Sequence, residues 1–130
     1  MANLIPYLVF SGNCKEAMEL YANVLNGDIT AITTFEKSPI DVPPEFNNRI
    51  FDCELKAGNF RFKASDDLPN HSVKSGSNFS LFLSFADKKE KETVFNKLSQ
   101  GGNVLFPLDD NFGMLRDRFG IQWMIVNDNN

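Results

Sequence analysis

Leu4 to Phe10 forms a short apolar run that breaks at Gly12 and Asn13, the pattern of a strand ending in a turn. Asn13 with Glu16 three residues on matches a helix-capping box with Asn at the cap. Ala17, Leu20, Tyr21, Val24 and Leu25 then recur at helical spacing, and Asn26-Gly27 closes the helix with Gly as the left-handed residue. From Phe79 the period changes to two: Phe79, Leu81, Leu83 and Phe85 share one face and Phe82 takes the other. Asp87 and Glu90 repeat the cap, Val94, Phe95 and Leu98 repeat the stripe, and Gly101 repeats the stop. Asn13 to Asp87, Glu16 to Glu90, Leu20 to Val94, Tyr21 to Phe95, Val24 to Leu98 and Gly27 to Gly101 are all offset by 74. An ordered strand, cap, stripe and stop returning at one offset indicates a duplicated module.

Strand patterns follow each helix. The first set is 28–35, 49–56 and 59–65, the last two joined by Ala57-Gly58 as a tight hairpin; the second is 103–107, a short piece near 114–118, and 122–126. The predicted fold class is therefore α+β, two βαβββ modules at about 1–66 and 78–127 within one domain spanning 1–130. Each module leaves an apolar sheet face to bury, and the economical solution is a pair of cupped mixed sheets with helices outside. The stretch 36–48 carries Pro39, Pro43 and Pro44 and reads as a stiff loop. The stretch 67–77 is a polar connector.

Composition narrows the function. The 130 residues hold 13 Lys plus Arg against 17 Asp plus Glu, a net charge of −4, so the basic stripe that nucleic-acid binding needs is missing. No apolar stretch approaches the roughly 20 residues of a membrane-spanning helix, and the N-terminus lacks a basic region followed by an apolar one. A cytoplasmic protein without nucleic-acid or membrane partners is expected. Thirteen Phe residues suit either a sheet core or an aromatic-lined ligand site. Cys14 and Cys53 show no short paired spacing and are expected to be reduced thiols; the helix N-terminus near Cys14 favours a thiolate, but with no second catalytic group beside it Cys14 reads as a structural thiol.

Pro6-Tyr7-Leu8-Val9-Phe10, Glu16-Ala17, Tyr21, Glu54-Leu55, Ala57-Gly58, Ser65-Asp66, Gly101-Gly102, Pro107-Leu108 and Asp117-Arg118-Phe119-Gly120 with Trp123 run in an order that resembles the PhnB-like proteins. These proteins, described as demethylubiquinone methyltransferase-like, belong to the glyoxalase and bleomycin-resistance, or vicinal oxygen chelate, superfamily. The resemblance implies a homodimer and a cavity enclosed by the sheets. It also names a reaction, but no strand runs into a Gly-rich turn and helix that would cradle a nucleotide-like methyl donor.

In metal-dependent relatives four strand positions supply His and Glu ligands. Placed on that pattern, this chain offers Pro6, Ser80, Met124 and a residue in the window 62–64, and it has Asp52 where PhnB-like relatives often carry a His. Such a set does not suit a hard or borderline divalent ion, and His71, the single histidine, sits in the polar connector. No cofactor and no metal are expected. The reading is a small-molecule-binding protein with a metal-free site; a metal-dependent lyase or dioxygenase and a non-catalytic structural dimer are the alternatives. The candidate lining is Tyr7, Phe51, Phe62, Phe82 and Trp123 as apolar walls, with Asp52, Lys63 and Arg116 as polar groups and Arg116 able to clamp a carboxylate or phosphonate. Asp117 reads as turn chemistry, and Glu54 could serve as a base if it faced a dry cavity.

Overall fold

The structure, a computed structural model, describes residues 1–128. The chain divides into two compact units, Met1–Val73 and a second from Lys74 onward, and the divide falls inside the polar connector. The first unit runs β1 (Tyr7–Phe10), α1 (Cys14–Leu25), β2 (Asp28–Thr34), β3 (Ile50–Ala57) and β4 (Phe60–Asp66). The second runs β5 (Leu81–Phe85), α2 (Lys88–Ser99), β6 (Asn103–Phe106), β7 (Phe112–Arg116) and β8 (Gln122–Asn127). Both are βαβββ, and α1 and α2 are offset by 74 residues at both ends.

Each unit is one four-stranded mixed sheet. The orders are β1-β4-β3-β2 and β5-β8-β7-β6, with the first strand parallel to the last of its unit and the other pairs antiparallel. The strand before each helix therefore lies at an edge, beside the final strand of its unit. Strands starting at 4 and 79 were expected; the ladders begin only at Tyr7 and Leu81, leaving Leu4 and Phe79 exposed. The Pro-rich stretch folds into two short 3-10 turns, Phe35–Lys37 and Pro44–Phe46, with Phe35 buried.

Alternation along the strands assigns a face to every side chain. In the first unit Leu8, Phe10, Cys53, Leu55, Phe62 and Ala64 turn toward α1, which answers with Cys14, Ala17, Met18, Tyr21 and Val24. Tyr21 sits between the rings of Phe10 and Phe62, with centroids at 6.4 and 6.0 Å. In the second unit Leu115, Trp123 and Ile125 are fully buried beside Val94, Phe95 and Leu98 of α2. Gly113 belongs to the same layer, because a Cβ there would lie 2.8 Å from the Phe95 ring.

The helix caps depart from the expected chemistry in the first unit. Asp87 caps α2 as read, accepting from the Lys89 N–H at 3.1 Å. The Asn13 side chain makes no cap bond to α1. Asp66, buried at the end of β4, takes that place: its carboxylate accepts from the N–H groups of Cys14 and of Ile50, each at 2.9 Å. At the other end of α1 it is Asn26, not Gly27, that adopts the left-handed conformation, with φ 54°. Gly27 is needed for space, since a Cβ there would press on Leu55 and the Lys56 carbonyl at 2.9 Å.

Asp66→Ala is expected to cost about 3 kcal/mol or more, because two backbone N–H groups lose a charged acceptor worth roughly 1.5–3 kcal/mol each. Asn13→Ala should change stability by under about 0.5 kcal/mol, as surface substitutions without a specific contact do. Urea unfolding of the two variants checks the pair, and equal losses would return the cap to Asn13.

Candidate functional site

One helix covers one face of each sheet, so the candidate chemistry lies on the two helix-free faces. On the first unit this face is polar. Tyr7 on β1, Asp52 and Glu54 on β3, and Arg61 and Lys63 on β4 project from it, in the phase opposite to Leu8, Cys53 and Phe62. The Asp52 carboxylate is shared: one oxygen accepts from the Tyr7 hydroxyl at 3.0 Å and the other meets the Lys63 ammonium at 3.0 Å. Arg61 and Glu54 pair beside them at 3.5 Å. Both ion pairs are partly solvated and contribute order more than stability. The Tyr7 phenol is held above its ordinary value of 10.0, first by partial burial and then by the neighbouring Asp52 charge, while a hydrogen bond with Ser65 pulls it back. The cluster presents a phenol that keeps its proton at neutral pH.

On the second unit the helix-free face is largely apolar. Phe82, Met124, Met114 and Phe106 stand in register across β5, β8, β7 and β6. Three strand spacings of about 4.8 Å make that row roughly 14 Å long. Phe112, next on β7, packs its ring 5.8 Å from Phe106 on the same face. The ends of the row are open, with Phe82 63% and Phe106 54% exposed, although a side chain of this size is normally covered. The adjoining register row is polar, with Arg116 opposite both Asn103 and Gln122. Arg116 donates through Nη2 to the Gln122 side chain at 2.9 Å and the Gly76 carbonyl at 3.1 Å, and Gln122 in turn donates to the Ser80 hydroxyl at 2.6 Å. The Arg116 Nε has no partner, and among the described residues no carboxylate balances this guanidinium.

The structure thus brings together Tyr7, Asp52 and Lys63 on one face, and Phe82 with Arg116 on the other. It turns Phe51, Phe62 and Trp123 away from both, which corrects the expected lining. Phe51 packs edge-on against Phe35 at 5.6 Å, Phe62 lies under Tyr21, and the Trp123 indole N–H is held by Asp117 at 2.8 Å in the α2 layer. For Phe62 the reason is the strand period, since it precedes Lys63 in a regular ladder and must take the opposite face; at Phe51 the β2–β3 register shifts and the side chain goes to Phe35. Asp117 is structural, its other oxygen accepting from the N–H groups of Phe119 and Ile121. Glu54 faces the partly solvated polar cluster, not a dry cavity.

Two arrangements escaped the sequence reading. Lys91 lies on the inward stripe of α2 and is 1% exposed, its ammonium donating to the carbonyls of Asp109 and Asp110 and to the Asn127 side chain. Its spacing to Val94, Phe95 and Leu98 was the available signal. Cys14 and Cys53 are 39 residues apart in sequence but bring their Sγ atoms to 3.9 Å, and no local pattern encodes that.

The comparisons bear on the same architecture. Residues 2–126 match the model of the family described as 3-demethylubiquinone-9 3-methyltransferase. The chain is 35% identical to protein PA1353 of Pseudomonas aeruginosa over the whole of both chains, with a TM-score of 0.89. The chain belongs to the 3-demethylubiquinone-9 3-methyltransferase family.

A second solved structure of this PhnB-like family, the putative 3-demethylubiquinone-9 3-methyltransferase PhnB of Bacillus cereus, is 25% identical, covers 98% of this chain and 100% of its own, and superposes with a TM-score of 0.83. The fosfomycin resistance protein FosX of Listeria monocytogenes shares the fold alone: 8% identity, 99% and 94% coverage, TM-score 0.70. The fold is that of the vicinal oxygen chelate superfamily.

That superfamily implies a metal, and the donors here do not fit one. Lys63 stands in the expected window, already paired with Asp52; Ser80 is engaged by Gln122; Met124 lies in the apolar row. Among the described residues no three of His, Cys, Asp and Glu converge. No described helix of this PhnB-like chain is long and apolar enough to cross a membrane.

Asp52→Asn is expected to lower the Tyr7 phenol toward its ordinary value, because the nearby negative charge disappears. Ultraviolet titration against Tyr7→Phe isolates the signal. The sign for stability follows from a folded-state value above the unfolded one: the contribution is whole below about pH 10 and is lost as pH rises through the folded value. An unmoved phenol in Asp52→Asn would remove the charge coupling from this cluster.

Proposed function

We propose that this PhnB-like protein binds a small amphipathic anion, a carboxylate or phosphonate with an apolar body, on the helix-free face of its second unit and without a bound metal ion. The observation that carries the reading is the juxtaposition of an open apolar row, Phe82–Met124–Met114–Phe106, with an arginine that no carboxylate balances among the described residues. An exposed row of this kind marks a binding surface more often than plain surface. The Arg116 guanidinium offers a planar fork to a carboxylate or phosphonate. The Tyr7–Asp52–Lys63 cluster supplies a second polar surface on the first unit, with donors for hydroxyl or carbonyl groups.

Methyl transfer, the reaction in the family's name, finds no support in these residues. The first N–H of α1, at the strand-to-helix turn where a nucleoside-type donor would be received, is taken by the Asp66 carboxylate.

A second reading is a homodimer whose partner copy covers the row. Strand β6, at the sheet edge, exposes all four of its residues, a template for another strand. Sedimentation across a dilution series separates the two, since a dimer interface on this row would block ligand and be broken by Phe82→Asp.

Calorimetric titration with straight-chain carboxylates of rising length tests the leading reading. Each added methylene should tighten binding about fourfold, from about 0.8 kcal/mol per buried CH₂, until a chain of about ten carbons spans the roughly 14 Å row. Arg116→Ala should weaken the best of them about tenfold to a hundredfold, the loss of a charge-assisted bond of roughly 1.5–3 kcal/mol. Affinity independent of chain length, with Arg116→Ala unchanged, would contradict it.

A further inference from the structure

The two cysteines of the first unit are free thiols, both buried, on elements packed against each other. Cys14 is the first residue of α1 and Cys53 lies at the middle of β3. Their sulfurs stand 3.9 Å apart, within hydrogen-bond reach, and the Cys53 thiol also lies 3.5 Å from the Ala64 carbonyl. Closing from that distance to a disulfide of about 2.05 Å asks each sulfur to move by about 1 Å, within reach of side-chain rotation. We propose that Cys14 and Cys53 form an oxidisable dithiol that takes a peroxide as oxidant and staples the start of α1 to β3.

The pair divides the chemistry. Cys14 holds its proton above the ordinary thiol range because it hydrogen-bonds to Cys53 and is buried; that same bond lowers Cys53, against the effect of burial. Of the two, Cys53 is the sulfur that gives up its proton to attack, and Cys14 is the thiol that resolves. The Cys53 thiolate attacks one peroxide oxygen, the O–O bond breaks, hydroxide leaves, and Cys53 becomes a sulfenic acid. The Cys14 sulfur then attacks that sulfur, the S–O bond breaks, and water leaves carrying the Cys14 proton. Two sulfurs are oxidised by two electrons in total and one peroxide is reduced.

Burial selects the oxidant. Neither sulfur is open to a bulky disulfide such as oxidised glutathione, whereas hydrogen peroxide is small and uncharged. The disulfide closes a loop holding β2 and the Pro-rich turns, and its anchor on β3 directly follows Asp52, which holds Tyr7 and Lys63. The proposal stands apart from the ligand reading, since no residue of the second unit enters it.

The test treats the full chain with hydrogen peroxide and reads intact mass, free thiols after denaturation, and melting temperature. The expected result is a monomer lighter by two hydrogens, no titratable thiol, a melting temperature raised by several degrees, and reversal of all three by dithiothreitol. Cys14→Ser and Cys53→Ser, each measured under the same treatment, should show no loss of two hydrogens, and Cys14→Ser should gain oxygen at Cys53. A wild-type chain that keeps both thiols, gains only oxygen atoms, or cross-links between molecules would overturn the proposal.

Discussion

Each four-stranded sheet here has two faces and one helix, and that shortage governs the rest of the molecule. A twelve-residue helix is about 18 Å long and a four-stranded sheet about 14 Å across, so α1 or α2 can roof one face and no more. Alternation along the strands then sends every second residue to the unroofed side.

The two units answer this constraint in different ways. The first places charge and a phenol on its open face, neutralised locally through Asp52, so the face is stable in water. The second places Phe82, Met114, Met124 and Phe106 there and, among the described residues, gives Arg116 no carboxylate partner. The helix sides resemble each other closely by comparison: Tyr21 and Phe95 hold corresponding places in α1 and α2, and both are buried. Duplication preserved the roofed layer and let the open layer diverge, which is where a binding function is free to develop.

Much of this architecture was legible in the sequence. The 74-residue offset was visible because helix stripes and stops survive duplication, and it located both helices. The open faces were harder. In β4 the alternation Phe60, Phe62, Ala64 against Arg61, Lys63 has a clear phase, yet both Phe62 and Lys63 were placed on one lining. In β8 the run Trp123-Met124-Ile125-Val126 is apolar throughout and carries no phase; only the tertiary burial of Trp123 against α2 and Asp117 settles it. The Asp66 cap and the 3.9 Å thiol pair join residues 52 and 39 positions apart. No local rule reaches across that separation; the parallel pairing of β1 with β4 creates the first, and the packing of α1 on β3 the second.

The most direct measurement uses the methionines as reporters. Met114 and Met124 sit in the middle of the open row, whereas Met18 is buried on the sheet-facing side of α1 in the other unit. With ¹³C-methyl methionine, titration of decanoate should move the Met114 and Met124 resonances along a saturable curve and leave Met18 unmoved. Resonances of Met114 and Met124 that stay fixed while Met18 shifts, or that all drift together without saturation, would contradict a ligand site on the helix-free face of the second sheet.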